Sequence, residues 1–301
     1  MKFAILTLAF YGNATLERML KNTGGMVDAI YLSHSPVPWS KYNPDARHKY
    51  TSDFNPEKVS SLPYAEKIKF LTGVWETDEA QREDALQQAR KDGIDYLIVQ
   101  DSDEFYLKEE FLKNLEGIRK NPDHPVYVCP WVKFWKNTQY VMQARIHDGQ
   151  YHQTVTTCPN FAVNVNYPGI HFSLSRLVNE NHRPFMLEGL CLHLCWVLTN
   201  EQVLKKISTW GHSHQFDHLK WFKHKWLSWT PQTKHIGLFK RSDYYQAVPF
   251  NGVLPEELHG FELEPQPSEK LGFLASIDSW RLDMLSLLKI NLVELRQKFF
   301  N

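Results

Sequence analysis

The chain has 301 residues, with 34 Lys and Arg balanced by 34 Asp and Glu, 43% hydrophobic and 14% aromatic residues, and only 14 Gly and 16 Pro. Such a composition can bury a sizeable core and excludes collagen-like, mucin-like and intrinsically disordered classes. At roughly 100–200 residues per domain, the length accommodates one large α/β domain with an extension.

Met1 and Lys2 precede a short apolar run, Phe3 to Leu8, which is too short for a signal peptide and reads as a first buried strand. No run approaches the ~18 apolar residues of a membrane span. Four cysteines, Cys129, Cys158, Cys191 and Cys195, are too few to staple a chain of this length. The expectation is a soluble cytoplasmic protein with reduced thiols.

In chain order, Phe3 to Ala9 predicts a strand and Asn13 to Lys21 an amphipathic helix carrying Leu16, Met19 and Leu20. Gly24 and Gly25 end that helix, and Ala29 to Ser33 predicts a second strand, so the chain opens with a βαβ unit of an α/β sheet. Pro36 to Pro63 is irregular, interrupted by Pro38, Pro44 and Pro56, and carries Trp39, Tyr42, Tyr50 and Phe54. A loop of that length with aromatics predicts a binding loop or lid rather than disorder. Thr77 caps a helix whose first turn holds Asp78 and Glu79 and whose inner face carries Ala85, Leu86 and Ala89, with Gly93 as terminator. Tyr96 to Val99 is a continuous apolar run, the pattern of a central strand buried on both faces.

Directly after that strand stands Gln100-Asp101-Ser102-Asp103-Glu104-Phe105, followed by a predicted helix from Lys108 to Arg119. A buried parallel strand that ends in acids delivers them to the carboxyl edge of the sheet, where ligands bind in open α/β folds. Carboxylates separated by one small residue suit Mg²⁺ or Mn²⁺ on a diphosphate, because these hard cations combine few protein oxygens with phosphate oxygens. A solvated acidic turn capping the next helix is the plain alternative, and the helix–Gly–strand setting favours the ligand site.

These blocks resemble GT-A type nucleotide-sugar glycosyltransferases, particularly family 2-like members. The carrying residues are Phe3 to Ala9, Arg82 within Glu79 to Leu86, Tyr96 to Gln100, Asp101-Ser102-Asp103, and Leu192-His193-Leu194 followed by Glu201 to Lys206 and Trp210-Gly211-His212. The resemblance covers about residues 1–215. It implies a Rossmann-like mixed sheet flanked by helices, in which Thr7, Ala9, Phe10, Tyr11 and Ser33 line a nucleoside pocket. It further implies that Arg82 faces the nucleotide or sugar, that Gln100, Asp101 and Ser102 lie along the donor, and that Asp101, Asp103 and His193 hold the metal. A satisfied core histidine is the alternative for His193.

Many inverting relatives carry a His-Glu pair that supplies a base, whereas the comparable segment here is Gly169-Ile170-His171-Phe172. The candidates nearest in sequence are Glu180 and Glu188; a retaining enzyme would lack such a base. Cys191, His193 and Cys195 share one face of a predicted strand but lack the C-x₂-C pair of structural zinc sites. His214 and His218, at i and i+4, read as exposed histidines of a polar surface.

Lys205 to Arg241 holds eight basic residues against the single acid Asp217, interleaved with seven Trp and Phe. Leu219, Phe222, Trp226 and Trp229 follow helical spacing and are expected to pack inward. An anionic acceptor held by Lys220, Trp221, Lys223 and Lys225 is the functional reading. Gln246 to Lys270, with four prolines, predicts an extended connector, and Leu282, Leu285, Leu288, Leu292 and Leu295 predict a final helix covering an apolar surface.

The expected organisation is a catalytic domain over 1–204 and a helical extension over 205–301. The expected activity is transfer of a sugar from a nucleotide-sugar, UDP-type favoured, to a saccharide or to a hydroxymethylated DNA base, with Mn²⁺ or Mg²⁺ as cofactor. A non-catalytic binder of nucleotide or saccharide is the alternative, and a nucleotidyltransferase a third, although no glycine-rich phosphate loop stands near residue 10.

Overall fold

The computed structural model describes residues 1–10, 13–41, 44–145, 151–152, 159–179, 183–209, 217–237, 244–263, 269–273, 276–277, 279–281 and 284. Tyr11, Glu180, Cys158, the segment 210–216 with His212 and His214, and all five leucines of the expected final helix lie outside the described residues.

The chain runs β1 (Phe3–Ala9), α1 (Asn13–Thr23), β2 (Ala29–His34), α2 (Ala46–Lys49), β3 (Ile68–Thr72), α3 (Asp78–Lys91) and β4 (Tyr96–Val99). β1, β2, β3 and β4 are mutually parallel, in the order β4-β1-β2-β3. Alternation along these strands sends Phe3, Ile5, Ile30, Leu32 and Ile98 to one face, where α1 packs through Leu16, Met19 and Leu20. Ala4, Leu6, Tyr31, Leu97 and Val99 meet Ala85, Leu86 and Ala89 of α3 on the other. The Thr77 hydroxyl accepts from the Ala80 amide at 3.2 Å, so α3 begins at its expected cap. Gly93, at φ +66°, reverses the chain out of α3.

After the acidic turn come β5 (Glu104–Tyr106), α4 (Lys108–Lys120), β6 (Val126–Val128), β7 (Trp131–Trp135), β8 (Asn137–Arg145), β9 (Tyr151–His152) and β10 (Asn160–Asn164). β10 lies antiparallel between β4 and β6 and makes the first sheet mixed. Then follow β11 (Phe172–Leu174), β12 (Leu177–Val178), β13 (Phe185–Met186), β14 (Cys191–Trp196), α5 (Asn200–Thr209), α6 (His218–Trp221) and β15 (Tyr244–Pro249). The first sheet has the order β13-β6-β10-β4-β1-β2-β3, and a second runs β15-β8-β7-β14-β5. The architecture is thus the expected mixed α/β sheet flanked by helices. The turn at 100–103 is the corner where the chain leaves the first sheet and enters the second.

Two expectations for the C-terminal part change. After α6 the chain enters a π-helical turn, Phe222–Leu227, whose i→i+5 bonding alters which residues share a face. Phe222 and Trp226 are buried as expected and Trp229 is half-buried, but Leu219 is 62% exposed, while Trp221 and Lys225 are buried. The Trp221 indole donates to the Ile236 carbonyl at 3.0 Å and packs with Trp135, Trp196 and Trp226, so its ring is core rather than a stacking platform. The start of the expected connector is instead β15, paired antiparallel with β8. α5 spans the expected boundary at residue 204. Among the described residues no helix is long and apolar enough to cross a membrane.

Candidate active site

Backbone bonds build the acidic turn. The Gln100 amide donates to Leu6 O and the Glu104 amide to Asp101 O, both at 3.0 Å. Gln100 and Thr7 are both fully buried. The Thr7 hydroxyl donates to Gln100 O at 2.8 Å, and the Gln100 side chain donates to Glu104 O at 2.9 Å. Thr7 and Gln100 therefore brace the turn from below. β14 runs antiparallel to β5 with His193 opposite Glu104, and the Leu194 amide donates to Asp103 O at 2.7 Å. That register carries His193 about 90 residues along the chain to the acids.

Asp101, about one-third exposed, meets Arg82 Nη2 at 3.2 Å and Arg176 Nη1 at 3.5 Å. Its surroundings would raise the carboxyl, but these two guanidinium groups outweigh that and hold it below the ordinary range. Asp103 Oδ1 is 3.3 Å from His193 Nε2, and its Oδ2 is 3.5 Å from Lys206 Nζ. Here too desolvation is outweighed, by His193 and Lys206, and Asp103 stays ionised far below the usual carboxylate range. Burial lowers His193, against the pull of Asp103.

Glu104 is fully buried and grips Arg176 with both oxygens. Burial pushes its carboxyl upward while Arg176 opposes. Arg176 also donates to the carbonyls of Val99 and Asn160, and its guanidinium lies 4.8 Å from the centre of the Trp131 ring. The edge of Trp131 in turn meets the His193 ring, with centroids 4.2 Å apart.

Among the described residues Asp103, Glu104 and His193 form the group able to hold a metal, with ligand atoms within 4.8 Å of one another. Asp103 and His193 fit a divalent cation: a carboxylate oxygen and an imidazole nitrogen stand 3.3 Å apart, and His193 Nδ1 is buried without a hydrogen-bond partner among the described residues. Glu104 is taken up by Arg176. Cys191 and Cys195 are buried thiols that do not enter this group.

The other expected residues divide. Arg82 is 4% exposed, and its Nε and Nη1 lack hydrogen-bond partners among the described residues. Ala9 is buried at the end of β1, and Ser102 is buried within the turn. The carbonyl of Phe10 accepts from the Ser52 hydroxyl at 2.9 Å, so the 36–63 loop closes over the end of β1. Ser33 is fully buried and its hydroxyl accepts from Gln81 Nε2 at 3.1 Å. Glu188 sits apart, 77% exposed in an ion pair with Lys113 at 2.9 Å. Phe172 is buried, and its amide donates to Glu83 at 2.8 Å. Lys223 is exposed and Lys220 half-buried, while Lys225 Nζ donates to Lys234 O at 3.0 Å. Sequence reasoning missed Glu104, Arg176, Lys206 and Trp131. Glu104 had a local signal, its place directly after Asp103, and Lys206 stood at the end of the Glu201 to Lys206 block that carries the resemblance.

The sequence matches no protein-family model and no curated protein. Among solved structures, the chain is similar to a Desulfovibrio desulfuricans protein described provisionally as a nucleotide-diphospho-sugar transferase, with 14% identity, 70% of this chain and 90% of that one covered, and a TM-score of 0.36. It is similar to S. aureus TarS 1-349 in complex with UDP, with 15% identity, 44% and 36% covered and a TM-score of 0.31. It is also similar to 4-diphosphocytidyl-2C-methyl-D-erythritol synthase from Anaerococcus prevotii, with 14% identity, 62% and 87% covered and a TM-score of 0.33.

Proposed function

We propose that the protein is a metal-dependent glycosyltransferase that moves a sugar from a nucleotide-sugar to an acceptor hydroxyl. The observation that carries this reading is the acidic turn at the carboxyl edge of parallel strands β1 and β4, with Asp103 Oδ1 3.3 Å from His193 Nε2. A divalent cation held by Asp103 and His193 would supply positive charge to a departing nucleoside diphosphate. Arg82 contributes a cation beside Asp101 whose Nε and Nη1 lack hydrogen-bond partners among the described residues, suited to an anionic donor. Phe10, at the end of β1 and under the 36–63 loop, is suited to the nucleoside, with a UDP-type donor as the first to try.

The acceptor is a saccharide or a hydroxymethylated DNA base. The buried Trp221 and Lys225 leave Lys220 and Lys223 as the remaining contacts of that stretch. The test is incubation with Mn²⁺ and a panel of nucleotide-sugars, followed by mass spectrometry of glycan and hydroxymethylated-DNA acceptors. Release of nucleoside diphosphate that chelation abolishes supports the reading. Donor binding without release in any mixture favours the non-catalytic binder.

A further inference from the structure

We propose that Lys133 holds an acidic substituent of the transferred sugar, so that the donor is a nucleotide-linked uronic acid; the inference rests on the nucleotide-sugar reading above. In the second sheet Lys133 of β7 is the register partner of His193 of β14, and parallel partners project to the same face. The order β7-β14-β5 places Lys133 on the side of His193 away from Glu104 of β5. The Trp131 ring links the two: its centre is 4.2 Å from that of the His193 ring and 5.6 Å from Lys133 Nζ. Lys133 Nζ also donates to the Tyr244 hydroxyl and lies 5.0 Å from the centre of that ring.

Other cations of this corner each face a carboxylate: Arg82 meets Asp101, Arg176 meets Glu104 and Lys206 meets Asp103. Lys133 is half-buried and forms no ion pair among the described residues. Two aromatic rings and a hydroxyl hold its ammonium in place, and an ammonium has more donors than one hydroxyl takes up. A positioned cation without an acid suits an anion that a ligand brings. With the nucleoside at Phe10 and the diphosphate on a cation at Asp103 and His193, the sugar comes next along this line, over β14 and β7. Adjacent strands lie about 4.8 Å apart, the width of one sugar ring, so the far substituent of that ring reaches Lys133. A carboxylate there is the group that a uronic acid carries and a neutral hexose lacks.

The test is calorimetry on the full chain with Mn²⁺ and matched pairs of donors, UDP-glucuronate against UDP-glucose and UDP-galacturonate against UDP-galactose. Each pair differs only by carboxylate in place of hydroxymethyl. In at least one pair the wild type should bind the acid about tenfold tighter, through a charge-assisted contact. Lys133→Met should reduce that preference to about twofold or less, with the loss falling on the acidic member. Lys133→Arg, which keeps the charge, should hold the preference within about threefold of wild type. If Lys133→Met does not fold, Lys133→Gln is measured the same way with the same expectation. If the wild type binds GDP and not UDP, GDP-mannuronate against GDP-mannose is the pair. No preference for the acid, or a preference that survives Lys133→Met, overturns the proposal while leaving the nucleotide-sugar reading intact. A gain for a carboxylated over a neutral acceptor glycan that Lys133→Met abolishes, without any donor preference, moves the contact to the acceptor and also overturns it. Wild type binding neither UDP nor GDP overturns both.

Discussion

Replacing Arg82 by Met separates what the guanidinium costs the fold from what it gives the site. The side chain is 4% exposed, meets Asp101 at 3.2 Å and attracts the Asp78 carboxylate, while Nε and Nη1 have no hydrogen-bond partner among the described residues. Each buried donor left unpaired costs about 1–3 kcal/mol, and a hydrogen bond to a charged, partly exposed carboxylate returns about 1.5 kcal/mol. Methionine fills a similar space without donors, so the ligand-free variant should be more stable by about 1 kcal/mol. At ~2.1 cal/mol/K per residue, that raises Tm of the 301-residue chain by about 1–2 °C. UDP binding with Mn²⁺ should weaken by about 2–3 kcal/mol, roughly thirty- to hundredfold, if the donor takes up the unused N–H groups. Thermal melts without ligand and calorimetry with UDP read the two effects separately. A clear fall in Tm with unchanged UDP affinity would refute the reasoning and make Arg82 a structural cation.

Asp103→Asn should abolish Mn²⁺ binding detected by paramagnetic resonance while the circular dichroism spectrum stays that of wild type; retained binding would remove Asp103 from the ligand set. His193→Ala should weaken Mn²⁺ less severely, and loss of the folded spectrum would instead identify His193 as a core residue. Gly189→Ala would place a Cβ 2.2 Å from the Glu110 carbonyl and 2.5 Å from Asn114 Oδ1, so it should cost about 1–3 kcal/mol in denaturant melts. The Asp92 carboxyl is held below its ordinary value of 3.8: although burial would raise it, Lys69 and the Tyr31 hydroxyl outweigh that. Its stabilising effect is present above the ordinary value and lost as pH falls through the folded one. The Tm gap between wild type and Asp92→Asn should therefore be open at pH 6 and close in acid, and a gap unchanged by pH would count against the assignment.

Local chemistry in the sequence determined the first half of the fold. β1, α3 and β4 announce themselves through apolar alternation, the Thr77 cap and a doubly buried run, and these signals depend on neighbours only a few residues apart. The position of Asp101 and Asp103 was legible for the same reason, since a parallel strand must end at the carboxyl edge. Tertiary structure decided what surrounds them. Arg176 reaches Glu104 from the β11–β12 hairpin 72 residues away, and Lys206 reaches Asp103 from the last turn of α5, while His193, expected beside Asp103 only through the resemblance, arrives by the β14–β5 register. No periodicity encodes a partner at that separation. The faces of the 219–229 segment were also decided by the whole fold, because a π-helical turn packed on β7, β8 and β14 replaces the helical spacing that local pattern assumes. The sequence by itself thus specified which acids stand at the sheet edge. Only folding specified the cations that neutralise them, because charge compensation in a buried corner is set by which distant strands are brought to it.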